Sequence, residues 1–356
     1  MKVAIVGAGL LGRLLGWRLS EQGAEVTLFD QQARDHRGTG LVAAAMIAPA
    51  TEAVTTEPLV KAMGVRSLAL WQPWLKELTA ATDQPVYFKQ AGTLVVAHAQ
   101  DQADWLRFMQ HAEAKVSGCF VHLNQGQLKT ASPALAENFS HAGFFPDEAV
   151  LDNAQLYTAL ARYFEQNKID WHEEIIFDEV PANGQLKGFD DAFDWVFDCR
   201  GAGAQGFQAG LRAVRGEVMR VVAPEVDIRQ AVRLMHPRYP LYIAPKPNHQ
   251  YVIGATQIES AHQTPVTVRS GLELLSALYS LHKGFAEAQI TQLEVGLRPA
   301  FSDNLPRLVK QEKRIEINGL YRHGYLFAPA MVEQVLDWLA GQAPRFIPMT
   351  ERGASA

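Results

Sequence analysis

The chain is poor in the features that would send it to a metal, a membrane or a nucleic acid. It has two cysteines, Cys119 and Cys199, far apart and in no Cys-x-x-Cys pair. That argues against a metal cluster or disulfide framework and for a reducing cytoplasm. The longest apolar run, Leu41–Ala50, is about half of what a bilayer-spanning helix needs and is broken by Pro49. Met1-Lys2 leads straight into Val3-Ala4-Ile5-Val6 and glycines, without the apolar core and cleavage site of a targeting signal. Net charge is −5 with no polybasic stretch, so neither nucleic acid nor an anionic membrane surface is implied. No Ser-His-Asp arrangement, metal-ligand spacing or P-loop occurs. What is present is a globular balance, 48% hydrophobic and 20% charged, with length enough for two domains or one with a large insertion.

The N-terminus carries the most specific pattern. Lys2–Val6 reads as a buried strand, Leu10–Ser20 as a helix stopped near Gly23, and Ala24–Phe29 as a second strand; this order implies a parallel crossover. Between the first strand and the helix lies Gly7-Ala8-Gly9-Leu10-Leu11-Gly12. Gly7 permits the tight turn, Gly9 lets backbone approach a pyrophosphate, and Gly12 lets helix and strand pack closely. The helix N-terminus, at Leu10 and Leu11, offers free amides and a positive dipole end to phosphates. Asp30 ends the second strand, where an acid accepts ribose hydroxyls and repels a 2′-phosphate, which disfavours NADP. NAD and FAD both fit this motif. The later strand-and-turn Asp194–Ala204, with Gly201-Ala202-Gly203, favours FAD.

Further along, Glu57–Thr79 reads as a helix kinked or broken at Pro73, and Val86–Ala97 as an antiparallel pair turning at Gln90-Ala91-Gly92. Asp101–Ala114, Asp152–Asn167, Val268–His282 and Met331–Ala340 read as helices, and the tail after Thr350 as frayed. Gly216–Val222 and Pro240–Thr256 read as strands, the latter turning at Pro247-Asn248. The fold class is α/β (α+β), a Rossmann-like FAD-binding domain with an inserted antiparallel-sheet substrate domain. The first is assigned 1–85, 141–214 and 291–356, the second 86–140 and 215–290.

Several segments resemble the D-amino acid oxidase-like flavoproteins, most of all the glycine oxidases of thiamine biosynthesis, with sarcosine oxidases and D-amino acid dehydrogenases as relatives. They are Val3–Asp30, Ala43–Pro49, Arg215-Gly216-Glu217, Leu241–Pro245 with Gly254-Ala255-Thr256, Gly296-Leu297-Arg298-Pro299 and Tyr321–Pro329. The resemblance implies that Ala44, Ala45 and Met46 pass beside the flavin ring. Gly324, Tyr325 and Leu326, with Gly201 and Arg298, would complete its site. Arg298 would bind a substrate carboxylate, Tyr242 would donate to the same group, and Arg322 would be a second cation near that carboxylate or the flavin carbonyls. His323 would either tune the amine's protonation or be structural. Three positions depart from the family: Arg200 replaces a small residue, Ala330-Met331-Val332 stands where relatives start the last helix with a small pair, and a histidine is missing before Arg322. Met331 and Val332 would face the flavin's pyrimidine edge.

The implied activity is FAD-dependent oxidation of a small amino acid or amine, by hydride transfer from its α-carbon to flavin N5. Oxygen or another electron acceptor would reoxidise the flavin. FAD would be held non-covalently, since neither cysteine lies at a family attachment position. Two alternatives stand beside it: a dehydrogenase feeding a quinone or carrier protein, for which Trp71 and Trp74 would supply a docking face unless they pack a helix, and a flavoprotein acting on a macromolecule. A homo-oligomer is compatible with the chain.

Overall fold

The computed structural model describes residues 1–36, 38–190, 192–235 and 241–352. Pro240 and the end of the tail lie outside the described residues.

Two large sheets and a small one build the molecule. The first has seven strands in the order Met349–Glu351, Arg307–Gln311, Arg314–Asn318, Trp195–Asp198, Lys2–Val6, Glu25–Phe29, Asp170–His172. Its centre is parallel: Lys2–Val6 pairs with Glu25–Phe29 on one side and Trp195–Asp198 on the other. Val3, Ala4 and Ile5 are fully buried, as strands covered on both faces require. The first helix, Leu10–Glu21, packs Leu11, Leu14, Leu15 and Leu19 into this core.

The second sheet has eight strands, ordered Gln289–Ala300, Arg212–Val222, Gln250–Gly254, Leu241–Lys246, Ala231–Leu234, Thr93–Val96, His141–Phe145, Val121–Asn124. It is antiparallel except where Ala231–Leu234 runs parallel to Thr93–Val96. By sheet membership, His141–Phe145 and Gln289–Ala300 go with this second unit; we therefore propose boundaries that differ from those drawn on sequence. The third sheet joins Met46–Ile47, Ala149–Leu151 and Phe88–Lys89.

Several sequence expectations are corrected. Phe88–Lys89 and Thr93–Val96 do not pair with each other: the first joins Ala149–Leu151, the second joins His141–Phe145. Gly92 sits between them at φ +80° and donates its amide to the Glu148 carbonyl (3.0 Å) rather than closing a hairpin. The helix around Pro73 is unbroken over Pro58–Thr82. The last helix begins at Gly324, seven residues before Met331, and runs to Leu339 through Pro329. Pro329 has no N–H to give the Tyr325 carbonyl one turn back; the Trp71 indole donates there instead, at 2.9 Å. Trp71 and Trp74 are buried, so they stitch helices together and offer no docking face.

Candidate functional site

One elongated cavity of about 380 Å³ runs from the N-terminus of the first helix to the face of the second sheet. At the first end, Gly7 has φ +102°, and a Cβ there would meet the Cys199 carbonyl at 2.6 Å. Gly12 lies beneath the cavity: its Cβ would come within 2.0 Å of the Gly7 oxygen, so only hydrogen fits between helix and turn. Gly9 is the opposite case, with nothing within 4 Å of a built Cβ. Gly9, Leu10 and Leu11 line the cavity, and no side chain caps this helix. The first-turn amides therefore face open space at the positive end of the helix dipole, a fit for a diphosphate.

Asp30 stands beside that turn. One carboxylate oxygen accepts from the Ala8 amide (2.6 Å) and the other from Gln32 (2.8 Å), which aims the group along the cavity wall. Arg13 was not singled out from sequence. Its Nε donates to the Ala8 carbonyl (2.7 Å) and its guanidinium stacks on Tyr157 and Trp171, each 4.6 Å from the ring centre. Across the cavity, Gly201 begins a short 3-10 turn whose neighbour Arg200 is locked by Asp198 (2.9 Å) and the Phe177 carbonyl (2.6 Å). The unusual arginine is thus held by a buried acid.

The middle of the cavity is walled by Ala43, Ala44, Ala45 and Met46 on one side and by Gly324, Tyr325 and Leu326 on the other. Ala45 has φ +51°, which turns the small-residue segment around its neighbours. Lys246 ties this loop down, donating to the Ala44 carbonyl (2.7 Å) and also to that of Leu151. Burial lowers its ammonium to about 7. The Tyr325 hydroxyl donates to Gly40 (2.8 Å), joining the two walls. Met331 and Val332 are buried in the helix core and do not line the cavity; the helix starts earlier, so Gly324 takes the position expected of them.

The far end holds the charges. Arg298 projects from Gln289–Ala300 across Gly216, where a Cβ would lie 2.2 Å from Nη2. Its Nη1 donates to the Thr256 carbonyl at 3.1 Å, and among the described residues it has no carboxylate partner. Burial lowers it to about 10, still a cation at neutral pH. Tyr242 and Arg322 are there too, but neither is free. Both bond to Glu52, a residue the sequence reading missed: the Tyr242 hydroxyl to Oε1 (2.5 Å), Arg322 Nη2 to Oε2 (2.7 Å). His323 Nε2 lies 3.0 Å from the same Oε2, and Arg233 is 3.8 Å from Oε1. Burial pushes Glu52 up, yet Arg322, His323 and Arg233 together hold it well below the usual carboxylate range. Burial lowers His323, so it is neutral at pH 7, and pushes the Tyr242 phenol far up. Tyr242 and Arg322, expected beside Arg298 at one substrate carboxylate, are thus both bonded to Glu52, while Arg298 is not. An acid within Ala48-Pro49-Ala50-Thr51-Glu52-Ala53 was the available signal.

The family model described as FAD dependent oxidoreductase (DAO) matches residues 2–338. The chain belongs to this family. It is an FAD-dependent oxidoreductase, and the helix-end amides, Gly9 gap and Asp30 are a fitting cradle for the cofactor's diphosphate and ribose. It is similar to the putative thiamine biosynthesis oxidoreductase ThiO of Rhizobium etli, 36% identical over 335 residues, covering 94% of this chain and 95% of that protein. The glycine oxidase of Geobacillus kaustophilus is 25% identical over 342 residues, 92% and 89% of the two chains. The crystal structure of a glycine oxidase from that organism superposes with a TM-score of 0.86 over 99% of both chains, at 24% identity. That of iminodiacetate oxidase from Chelativorans sp. gives 0.82 at 22% identity, over 99% and 100%. These two superpositions show a common fold. Among the described residues no group of metal-binding side chains occurs, and no helix is long and apolar enough to cross a membrane.

Proposed function

We propose that this flavoenzyme oxidises a small amino acid or amine at the carbon bearing nitrogen, with glycine or a close analogue preferred and oxygen as the final electron acceptor. The observation that carries the reading is Arg298, a cation facing the cavity without a carboxylate partner among the described residues. A planar guanidinium with spare donors matches a carboxylate in two-point geometry. The carboxylate would be fixed there, which orients the adjacent α C–H toward the middle of the cavity. Bound FAD supplies the acceptor for the hydride that leaves this carbon.

The chain's own residues do the rest. Gly216 makes room for the Arg298 fork. Ala44, Ala45, Met46, Tyr325 and Leu326 narrow the central stretch and exclude water, which strengthens the charge pairing at Arg298. Neutral His323 adds no positive charge, so the site does not oppose a neutral amine by that route. The imine left after hydride loss is hydrolysed by water. The relative named for thiamine biosynthesis supports a product used in that pathway, and the two isolated cysteines support a reducing cytoplasm and FAD held non-covalently. The buried Trp71 and Trp74 remove the docking face on which a carrier-linked dehydrogenase would have rested.

The test is turnover in air. Purified enzyme with glycine should release ammonia and hydrogen peroxide in equal amounts. Ammonia formed only when a quinone is added would instead identify a dehydrogenase.

A further inference from the structure

At the substrate end the charged residues lining the cavity, among those described, are Arg298, Arg322 and Glu52. Two guanidinium groups in one small pocket would ordinarily invite a substrate with two anionic ends. Here one is cancelled. Glu52 spends Oε2 on Arg322 and His323 and Oε1 on the Tyr242 hydroxyl, with Arg233 behind. Its backbone is held in place as well, because Glu52 sits on the short helix Pro49–Ala53, which is itself anchored from below. Glu148 accepts from the Ala50 amide (3.1 Å), the Thr51 amide (2.7 Å) and the Thr51 hydroxyl (3.0 Å) at the start of that helix. Glu52 is also close enough to act on Arg298, which feels both it and Arg322.

Resting on the proposed amino-acid oxidation, we propose that Glu52 is a specificity-determining residue. It occupies and neutralises Arg322, leaving Arg298 as the lining cation open to substrate at this end among the described residues, so the pocket accepts a substrate with one carboxylate and disfavours one with a second anionic group. A substrate with two carboxylates, such as iminodiacetate or aspartate, would seat one on Arg298 and bring the other toward Arg322, where it meets Glu52 instead. In a site of low effective dielectric, two like charges about 5 Å apart are enough to shift a binding constant by tenfold or more.

The experiment compares glycine with iminodiacetate in three flavin-loaded proteins. Glu52→Gln keeps the shape and an acceptor for the Tyr242 hydroxyl but releases Arg322. It should raise the ratio of kcat/KM for iminodiacetate over glycine by about tenfold or more. Glu52→Asp keeps the charge and should leave the ratio within about threefold of the parent, separating charge from packing. An unchanged ratio in Glu52→Gln overturns the proposal, as does an equal rise in Glu52→Asp. Should either variant lose flavin, binding to the parent enzyme decides, read from the flavin's visible spectrum. Acetate should bind more tightly than malonate, and malonate binding as well as acetate refutes the claim. This arm needs no turnover, so a parent enzyme inert toward every amine would defeat the proposed reaction while still testing the role of Glu52.

Discussion

Replacing Arg298 by Met removes a buried cation at the substrate end that has no carboxylate partner among the described residues. Two effects should part company. Arg298 is buried, its charge is disfavoured enough to lower it to about 10, and its one described hydrogen bond goes to the Thr256 carbonyl. A desolvated charge without a counter-ion costs stability, so Met, of similar reach and no charge, should leave the folding stability unchanged or raise it, by about 1–3 kcal/mol at most. Catalysis should move the other way. Removing one partner of a desolvated charge pair costs about 2–5 kcal/mol, which is roughly thirtyfold to several-thousandfold in kcat/KM for glycine. The loss should fall mainly on KM if Arg298 acts by binding. Arg298→Lys should fall between, keeping charge but losing the two-point fork. The assay is peroxide release against glycine concentration, paired with thermal unfolding and flavin content. A kcat/KM within about threefold of the parent, or a Met variant that melts several degrees lower with its flavin retained, would refute the reasoning.

Three further outcomes follow from packing and titration. Gly9→Ala should fold normally yet retain FAD more weakly, since its Cβ enters open space over the helix end; Gly12→Ala should lower stability itself, because that Cβ meets the Gly7 oxygen at 2.0 Å. Melting of the flavin-stripped proteins separates the two. Gly216→Ala should push Arg298 aside, with a Cβ 2.2 Å from Nη2, and raise KM for glycine while flavin content stays at parent level. Burial raises Glu148 from 4.5 to about 7, against its hydrogen bonds to Thr51. Between those values the folded protein keeps a proton that the unfolded chain has released. Stability should therefore fall as pH rises through this window, by about 3 kcal/mol at most, and Glu148→Gln should flatten the melting temperature over the same range.

The parts of the fold that were legible are those whose reason is local. Gly7, Gly9, Gly12 and Asp30 announce themselves because strand, turn, helix and acid fall within one crossover, and the structure brings Gly9, Leu10, Leu11 and Asp30 to one cavity with Gly12 packed beneath. Strand alternation found Gly216–Val222 and the pair Leu241–Lys246 and Gln250–Gly254. What failed depended on distant partners. Phe88–Lys89 and Thr93–Val96 look like a hairpin because a glycine divides them, yet their neighbours lie in segments 149–151, 141–145 and 231–234, which no local pattern reveals. The last helix starts earlier than read from sequence and runs through Pro329, because a tertiary donor, the Trp71 indole, satisfies the carbonyl that proline abandons. Glu52 escaped notice because an isolated acid in an alanine-rich stretch reads as surface. Its meaning comes from Tyr242, Arg322, His323 and Arg233, which arrive from other parts of the chain.

The central claim is that an amino acid's carboxylate docks at Arg298 and its α-carbon gives up a hydride within this cavity. The most direct measurement is the visible spectrum of the purified yellow protein, without oxygen, before and after adding glycine, sarcosine and D-alanine in turn. At least one of these should bleach the flavin rapidly, and admitting air should restore the colour. A fully oxidised spectrum that none of them changes would contradict the account.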